Sequence, residues 1–293
     1  MIYTIKFRFI ISTLFFLFIL LAISYTNQAS TQPPYHSNQP ITTPVSFGEG
    51  ILSTEDEPVW GFTFTPDGKK IYMLRGPMSL DTIYESSYLD GEWTEPELFT
   101  IPVPKNVNFI RFIQSTISPD GNKFFLVSEG DGMEAFDIWV SENIDGEWDE
   151  PFLLEIVNSS FSETTPSIAK NGNLYFTSDR DGGSDIYISK FFDDRYTVPE
   201  RLNEEINTSG RREANPFISP DESFLIFSRD GAFYISYNSN GEWSEAEVLQ
   251  GEPLNGSFGS RYSPYVSPDQ KYFFYVDGDI KQVDISVIGL EIN

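Results

Sequence analysis

A unit of about 50 residues occurs five times along the chain, and this repetition limits the possible fold more than any other feature. Each copy has a Pro-Asp-Gly-like turn between two apolar segments, as in FTFTPDGKKIYML and PFISPDESFLIFS. The turns begin at Pro66, Pro119, Lys170, Pro220 and Pro268, so the spacings are 53, 51, 50 and 48 residues. Repetition at this period, in segments that read as strands, is typical of β-propeller blades.

A second motif follows each of the first four turns. It reads DGEWTEPELF, DGEWDEPFLL, DDRYTVPERL and NGEWSEAEVL, so Trp93, Trp148, Tyr196 and Trp243 occupy one structural position. Each copy is predicted to hold four strands: one on each side of the turn, a third of the DIYIS type and a fourth in the EW motif. We expect the EW aromatics to pack between blades, because an indole buries a large apolar area.

The two ends of the repeat array complement each other. The fifth copy ends after its third strand and lacks an EW motif, whereas residues 41–58 resemble the segment that follows each EW motif. The sequence therefore predicts an all-β, five-bladed propeller of four-stranded blades, in which the N-terminal strand completes the last blade and covers its open edge. Six blades are the alternative, which would require one degenerate repeat.

The SPDG turn followed by an aromatic strand, and then SDRDGGSDIYIS at residues 178–189, resembles the TolB-like, WD40-like propeller repeat of exported bacterial proteins. The resemblance covers residues 41–293. It implies a propeller and a periplasmic location. It implies no particular activity, because the family includes binding proteins, sensors and enzymes.

The first 40 residues are unlike the repeats. Lys6 and Arg8 precede an uncharged apolar run at residues 9–25, whose length lies between a signal-peptide core and a short membrane span. Residues 1–24 are predicted to be a signal peptide or an N-terminal membrane anchor, and residues 25–40 a polar tether. We expect an exported protein, periplasmic or extracellular, that contacts a membrane only through this segment if it is not cleaved.

Composition argues against several classes of function. The chain has 44 acidic and 19 basic residues and a formal net charge of −25, which would repel nucleic acid. It has no cysteine, and its single histidine, His36, lies in the predicted tether. Ser-His-Asp and Cys-His nucleophiles, and zinc sites built on His or Cys, are therefore not expected in the propeller. No cofactor is expected, with calcium as the one alternative.

The calcium alternative rests on Asp179, Asp181 and Asp185, which surround two glycines between predicted strands. Calcium takes about six to eight oxygen ligands, and these aspartates do not follow the spacing of a known calcium loop. Asp and Gly are also the residues that tight turns require. A hairpin turn is the favoured interpretation.

Ligands of propellers usually approach the central channel, whose mouth is lined by residues just before each innermost strand. The predicted ligand-binding residues at this level are Trp60, Arg111, Glu163, Arg212, Glu213, Arg261 and Tyr262. Glu163 and Glu213 come from adjacent blades, so they are also catalytic candidates for a glycosidase, which needs two carboxylates about 5–9.5 Å apart. The competing interpretation is that they bond to neighbouring groups and close the channel.

These observations predict a non-catalytic binding or protein-interaction propeller, with a protein or carbohydrate ligand at the channel mouth. A carbohydrate-active enzyme using the paired carboxylates is the alternative. A membrane-anchored sensor domain is a third hypothesis, which depends on whether the leader is cleaved.

Overall fold

The computed structural model describes residues 32–77, 82–104, 111–129, 135–250 and 261–290. The chain divides into two compact units, Met1–His36 and Ser37–Asn293. In the first unit the described residues form a turn, in which the His36 N–H donates to the Pro33 carbonyl at 2.9 Å. The predicted signal peptide or anchor at residues 1–24 lies outside the described residues.

The described residues of the second unit form six antiparallel sheets: five are the main sheets of the five blades, and the sixth is a two-stranded hairpin in blade 3. Blade 1 contains β2 (Val59–Phe64), β3 (Lys70–Arg75), β4 (Ile83–Leu89), β5 (Glu92–Trp93) and β6 (Glu97–Leu98). Blade 2 contains β7 (Arg111–Ile117), β8 (Lys123–Glu129), β9 (Phe136–Ile144), β10 (Glu147–Trp148) and β11 (Phe152–Leu153). Blade 3 contains β12 (Glu163–Ile168), β13 (Leu174–Ser178), β14 (Asp185–Ser189), β15 (Phe191–Phe192), β16 (Arg195–Tyr196) and β17 (Glu200–Arg201).

Blade 4 contains β18 (Glu213–Ile218), β19 (Phe224–Arg229), β20 (Ala232–Ser239), β21 (Glu242–Trp243) and β22 (Glu247–Val248). Blade 5 contains β23 (Tyr262–Val266), β24 (Tyr272–Asp277), β25 (Asp279–Asp284) and the N-terminal strand β1 (Val45–Ser46). A short 3₁₀ helix, Ile285–Ile288, follows β25.

The blades form a closed ring around a channel. The innermost strands are β2, β7, β12, β18 and β23, and each contacts the innermost strands of both neighbouring blades. Strand β1 pairs antiparallel with β25, so that Val45 lies opposite Gln282 and Ser46 opposite Lys281. The prediction of five blades, with the N-terminal strand completing the last one, is confirmed.

The closing segment also contributes a side chain to the core. Phe47 directly follows β1, is 6% exposed, and makes edge-to-face contacts with Phe64 and Trp93 of blade 1 and Phe274 of blade 5. The chain then bends at Gly48, whose φ is +60° and where any Cβ would lie 2.7 Å from the Leu52 side chain. This segment therefore joins the first and last blades through both hydrogen bonds and buried aromatic contacts.

The EW motif differs in detail from the prediction. Asp90 and Gly91 have φ values of +53° and +95°, which produce a two-residue hairpin that pairs Trp93 with Tyr88 at the end of β4. The outermost strand of the blade is the next segment, β6, which pairs with β4 further along. The EW motif thus extends the third strand, and the residues after it complete the sheet.

The EW aromatics do pack between blades. The Trp148 Nε1–H of blade 2 donates to the Tyr72 hydroxyl of blade 1 at 3.2 Å. Trp243 of blade 4 meets Tyr175 of blade 3 edge to face, with ring centroids 6.2 Å apart. Recurrence of an aromatic residue at this position is therefore explained by packing, and these residues are not needed as a ligand platform.

The last residue of the Pro-Asp-Gly turn is not glycine in blades 4 and 5. Glu222 and Gln270 occupy it with φ values of +59° and +56°, a region that costs a residue with a Cβ about 1–2 kcal/mol. The Glu222 carboxylate accepts hydrogen bonds from Asn171, Asn173 and Tyr175 of blade 3, at 2.6 to 2.8 Å. Gln270 is exposed, and its side chain makes no hydrogen bond to the described residues.

The two turns should therefore respond oppositely to glycine. We expect Glu222→Gly to lower the free energy of unfolding by about 1–3 kcal/mol, because the lost bonds to blade 3 outweigh the relieved strain. Gln270→Gly should raise it by up to about 1 kcal/mol, because only strain is removed. Urea unfolding of both variants measures the difference, and a change of the same sign in both would contradict this account.

Candidate functional site

The channel is lined by one equivalent position from each innermost strand. These positions, five residues before each turn, are Gly61, Gln114, Thr165, Asn215 and Ser263. A β-bulge interrupts all five strands here, and Thr165, Asn215 and Ser263 have φ near +50° immediately before a proline. Non-glycine residues in this conformation are uncommon and tend to occur at functional positions.

Gln114 crosses the channel. Its Oε1 accepts a hydrogen bond from the Thr165 N–H of blade 3 at 2.9 Å, and its Nε2 lies 3.5 Å from Asn215 Oδ1 of blade 4. The space left at this level is only about 60 Å³. The channel is therefore narrow in the middle, and a ligand would bind at one of its two ends.

One end opens into a cleft of about 620 Å³, which we call the mouth cleft. Its floor is formed by Gln114, Thr165 and Asn215, and its walls include Trp60, Phe136, Thr164, Ser184, Arg212 and Tyr262. A site of this volume, lined by aromatic side chains and a few polar groups, matches the usual properties of ligand sites, which span about 300–1,000 Å³. The mouth cleft is thus the candidate site.

Trp60 and Tyr262 bring blades 1 and 5 together at this cleft. Their ring planes lie 8° from parallel, with centroids 6.4 Å apart. Trp60 Nε1–H donates to the Gly76 carbonyl at 2.7 Å, which fixes the indole orientation. Burial raises the pKa of Tyr262 to about 12, so its hydroxyl stays protonated at neutral pH.

Two arginines among the described residues line the mouth cleft, and their surroundings differ. Arg75 is paired with Glu57 of the closing segment, with 2.8 Å between Nε and Oε2. Arg212 is exposed, and no carboxylate of the described residues lies within ion-pair distance of it, whereas the adjacent Arg211 is paired with Asp230. The Arg212 guanidinium is therefore available to an acidic group of a ligand.

The candidate carboxylates are not open to the cleft. Glu163 and Glu213 are both 0% exposed. Glu163 pairs with Arg180 at 2.9 Å and Glu213 with Arg229 at 2.8 Å. Burial raises the pKa of Glu213 above its ordinary value. A sugar could not reach either group without the blade opening, so the geometry does not favour the glycosidase alternative.

Glu163 also makes local bonds that use both of its oxygens. Oε2 accepts from the Ser159 N–H at 2.8 Å, and Oε1 accepts from the hydroxyls of Ser159 and Ser178 at 2.8 and 2.7 Å. These partners hold the chain just before β12 against the end of β13. The contacts are those of a group that closes the end of a blade.

The same kind of ion pair recurs in blade 5 with the charges exchanged. Arg261, just before β23, pairs with Asp277 at the end of β24 at 3.1 Å. Arg261 also lies over the Tyr275 ring at 5.8 Å. Of the remaining predicted ligand-binding residues, Arg111 begins β7 and its side chain lies outside the described residues. The structure thus brings Trp60, Arg212 and Tyr262 into the mouth cleft, while Glu163, Glu213 and Arg261 form ion pairs.

The three aspartates of the calcium alternative have separate partners. Asp179 accepts from the Ser162 N–H at 2.8 Å, Asp181 from the Tyr187 hydroxyl, and Asp185 forms a two-point ion pair with Arg201 at 2.9 Å. Within the described ranges, no three His, Cys, Asp or Glu side chains are close enough to hold a metal ion. The segment forms the hairpin between β13 and β14, with Ser178 opposite Asp185.

Asp137 is a titratable group that the sequence analysis did not single out. It occupies in blade 2 the position that Asp185 occupies in blade 3. Asp185 is paired with Arg201, but the residue of blade 2 equivalent to Arg201 is Leu153, which has no charge. Asp137 is 5% exposed, and burial, with the charge of Glu163 as a second cause, raises its pKa from 3.8 to about 6. A missing arginine in an otherwise matching repeat was the signal that would have identified it.

Asp137→Asn should therefore stabilise the protein above pH 7. A raised pKa means that the folded state binds the Asp137 proton more tightly than the unfolded state does. The stability that protonated Asp137 contributes is therefore complete below about pH 3.8 and is lost as the pH rises through 6. We expect the variant to gain about 1–2 kcal/mol at pH 8 and nothing near pH 3.5. Urea unfolding at both pH values measures this, with Asp185→Asn as the matched control, which should lose stability at pH 8.

No family model and no curated protein matches the sequence. Among solved structures, the putative TolB from Agrobacterium tumefaciens is similar at 19% identity and a TM-score of 0.53, covering 80% of this chain and 74% of that one. TolB from Acinetobacter baumannii is similar at 18% identity and a TM-score of 0.50, covering 80% of this chain and 56% of that one. The chain has the fold of the TolB-like propellers.

The TolB-like resemblance seen in the sequence is thus confirmed at the level of the fold. A thermostable family-43 glycoside hydrolase is also similar, at 15% identity and a TM-score of 0.52, covering 80% of this chain and 90% of that one. A TolB-like fold therefore does not decide between binding and catalysis, and the function must be argued from the side chains of the site.

Proposed function

We propose that this protein is an exported, non-catalytic binding module that holds a protein or carbohydrate ligand in the mouth cleft. The proposal rests on the lining of that cleft. Trp60, Phe136 and Tyr262 provide aromatic surface, and Arg212 provides a charge with no partner among the described residues. None of the described residues that line the cleft is Asp or Glu, although the chain has a net charge of −25.

This lining suits a ligand with an apolar or ring-shaped part and an acidic group. Aromatic faces pack well against sugar rings and against aromatic or aliphatic side chains of a protein. A guanidinium with free donors binds carboxylates through two parallel hydrogen bonds. The surrounding hydroxyls and amides of Thr164, Ser184 and Asn215 add orientation.

The non-catalytic part of the proposal rests on the two glutamates. A glycosidase needs one carboxyl to protonate the leaving oxygen and another to attack or activate water. Glu163 and Glu213 are fully buried and already paired with arginines. The side chains that line the mouth cleft therefore support ligand binding and do not favour hydrolysis.

The exported location is proposed from the apolar leader at residues 9–25, which lies outside the described residues. In the described part of the chain, no helix is long and apolar enough to cross a membrane. Whether the leader is cleaved or retained is decided by mass spectrometry of the N-terminus of the protein recovered from its cells.

Binding to arrays of peptides and glycans, with and without calcium, tests the proposal on the full chain. We expect saturable binding that falls about tenfold or more in both Trp60→Leu and Arg212→Gln. Phe192→Ala is the matched control, because Phe192 is an aromatic residue that is 79% exposed and does not line the cleft.

Two outcomes would overturn the proposal. Binding that both cleft variants leave unchanged would place the ligand elsewhere. Glycan hydrolysis that disappears in Glu163→Gln, while that variant keeps its thermal stability, would instead support the carbohydrate-active alternative.

A further inference from the structure

The opposite end of the channel contains a second, separate cavity of about 350 Å³, which we call the lower cavity. Its lining includes a ring of five apolar residues, one from the end of each innermost strand, four of which also pack in the cores between blades: Phe64, Ile117, Ile168, Ile218 and Val266. Each is 8% exposed or less. A cavity of this volume with such a wall suits a small apolar group.

The rim of the lower cavity has one exceptional position. It is formed by the first residue of each turn: Pro66, Pro119, Lys170, Pro220 and Pro268. Four of these five residues are prolines, whose rings are apolar and carry no charge. Lys170 is the one cation, and it is exposed.

Lys170 has no counter-charge in the described part of the chain, since no carboxylate there lies within ion-pair distance of its Nζ. Asp120 also lines the lower cavity and keeps its negative charge, but hydrogen bonds within its own turn hold both of its oxygens. Its Oδ1 accepts from the Ser118 hydroxyl at 2.5 Å and the Asn122 N–H at 3.1 Å, and its Oδ2 from the Asn122 side chain at 3.1 Å. The ammonium group is therefore available at the edge of an apolar cavity.

The lower cavity also has a limited depth. Thr116, Ser167, Phe217 and Tyr265 line both this cavity and the narrow middle of the channel. Beyond them Gln114 crosses the channel, where only about 60 Å³ remains. A group that enters from the lower end would meet this constriction, so the length of chain that fits is bounded.

We propose that the lower cavity binds a small amphiphilic carboxylate, with an alkyl chain inside the ring of five apolar side chains and its carboxylate at Lys170. A neutral apolar ligand would leave the ammonium without a partner, and a cationic amphiphile would be repelled by it. A carboxylate on an alkyl chain satisfies both parts of the cavity. This site is independent of the mouth cleft, and binding there requires neither Trp60 nor Arg212.

Photolabelling of the full chain tests the proposal. The probe is dodecanoate carrying a diazirine near its methyl end, and the chain is kept in digitonin, which has no alkyl tail to compete. We expect adducts on peptides that contain Ile168, Ile218 or Val266, and protection by excess dodecanoate. Protection should strengthen about fourfold for each methylene from hexanoate upward until the cavity is full.

Charge selectivity is tested with Lys170→Gln. Labelling of the ring peptides should fall about five- to tenfold in this variant, while labelling of peptides that do not line the cavity stays constant as an internal reference. Lys69→Gln is the matched control, because Lys69 is an exposed turn lysine of blade 1 that does not line the cavity. Val266→Phe places a larger side chain at the cavity and should abolish labelling. If Val266→Phe does not fold, the result with Lys170→Gln still tests the proposal.

The proposal is overturned if the ring peptides carry no adduct, if Lys170→Gln is labelled as strongly as the natural chain, or if dodecanol protects as well as dodecanoate. Loss of labelling in Trp60→Leu would also contradict it, because that result would place the probe in the mouth cleft.

Discussion

Replacing Phe47 with alanine is expected to lower the free energy of unfolding by about 3–5 kcal/mol. The side chain is 6% exposed and contacts Phe64, Trp93 and Phe274, so its removal leaves a cavity between the first and last blades. The loss should therefore affect the whole ring.

Urea unfolding followed by tryptophan fluorescence measures this effect. Val45→Ala is the matched control, because Val45 lies two residues away on the same closing strand but is 45% exposed. It should change stability by less than about 1 kcal/mol. Equal effects of the two substitutions would show that Phe47 does not join the blades.

Glu213→Ala is expected to cost about 3–5 kcal/mol, because it leaves the guanidinium of Arg229 without its counter-charge in a site where that side chain is only 11% exposed. Arg229 also lies over the Tyr234 ring at 4.4 Å, which prevents it from turning freely into solvent. The carboxylate is thus expected to be structural.

The double variant Glu213→Leu with Arg229→Met separates the pair from the packing. It should recover most of the stability that Glu213→Ala loses, because replacing both members of a buried ion pair with apolar residues is often nearly neutral. A loss below about 1 kcal/mol in Glu213→Ala would contradict a structural role and would restore Glu213 as a candidate for chemistry.

The architecture could be predicted from the sequence because each repeat contains its own turn residues and strand pattern. Turn residues at intervals of 48 to 53 residues place the strands, and the last copy lacks a fourth strand, which the N-terminal segment can supply. The EW motif was less well predicted. The Asp90-Gly91 turn has left-handed φ values, and it pairs Glu92–Trp93 with the end of the third strand. The Asp-Gly residues indicate a tight turn, but the sequence does not show which strand the turn pairs with the EW motif.

The site was harder to predict because its decisive contacts join residues that are distant in the chain. Arg180 and Arg229 follow their glutamates by 17 and 16 positions, and only strand register shows that each pair meets. Gln114 accepts a hydrogen bond from Thr165 of the neighbouring blade, 51 residues further along the chain. Two signals were present in the sequence: a polar residue five places before four of the five turns, and a lysine where four copies have proline. Their meaning depends on the closed ring, which brings these positions together.

The two ends of the channel differ in how much the five sequence copies vary there. At the mouth cleft, the copies vary in charge, aromatic content and ion pairing, which creates one asymmetric surface. At the lower cavity, the copies are nearly alike, which creates an almost symmetric apolar ring whose charged neighbours are the Lys170 ammonium and the Asp120 carboxylate. Both proposals depend on a closed ring, because an open chain of blades would have neither a mouth nor a lower cavity.

A disulfide between positions 46 and 281 tests that closure most directly. Ser46 lies opposite Lys281, the Lys281 Nζ donates to the Ser46 hydroxyl at 3.1 Å, and the chain has no cysteine of its own. With Ser46→Cys and Lys281→Cys combined, we expect one intramolecular disulfide under mild oxidation, seen as a linked peptide by mass spectrometry, and a higher melting temperature. Only intermolecular dimers or free thiols, with each single variant folded, would show that the N-terminal strand does not complete the fifth blade.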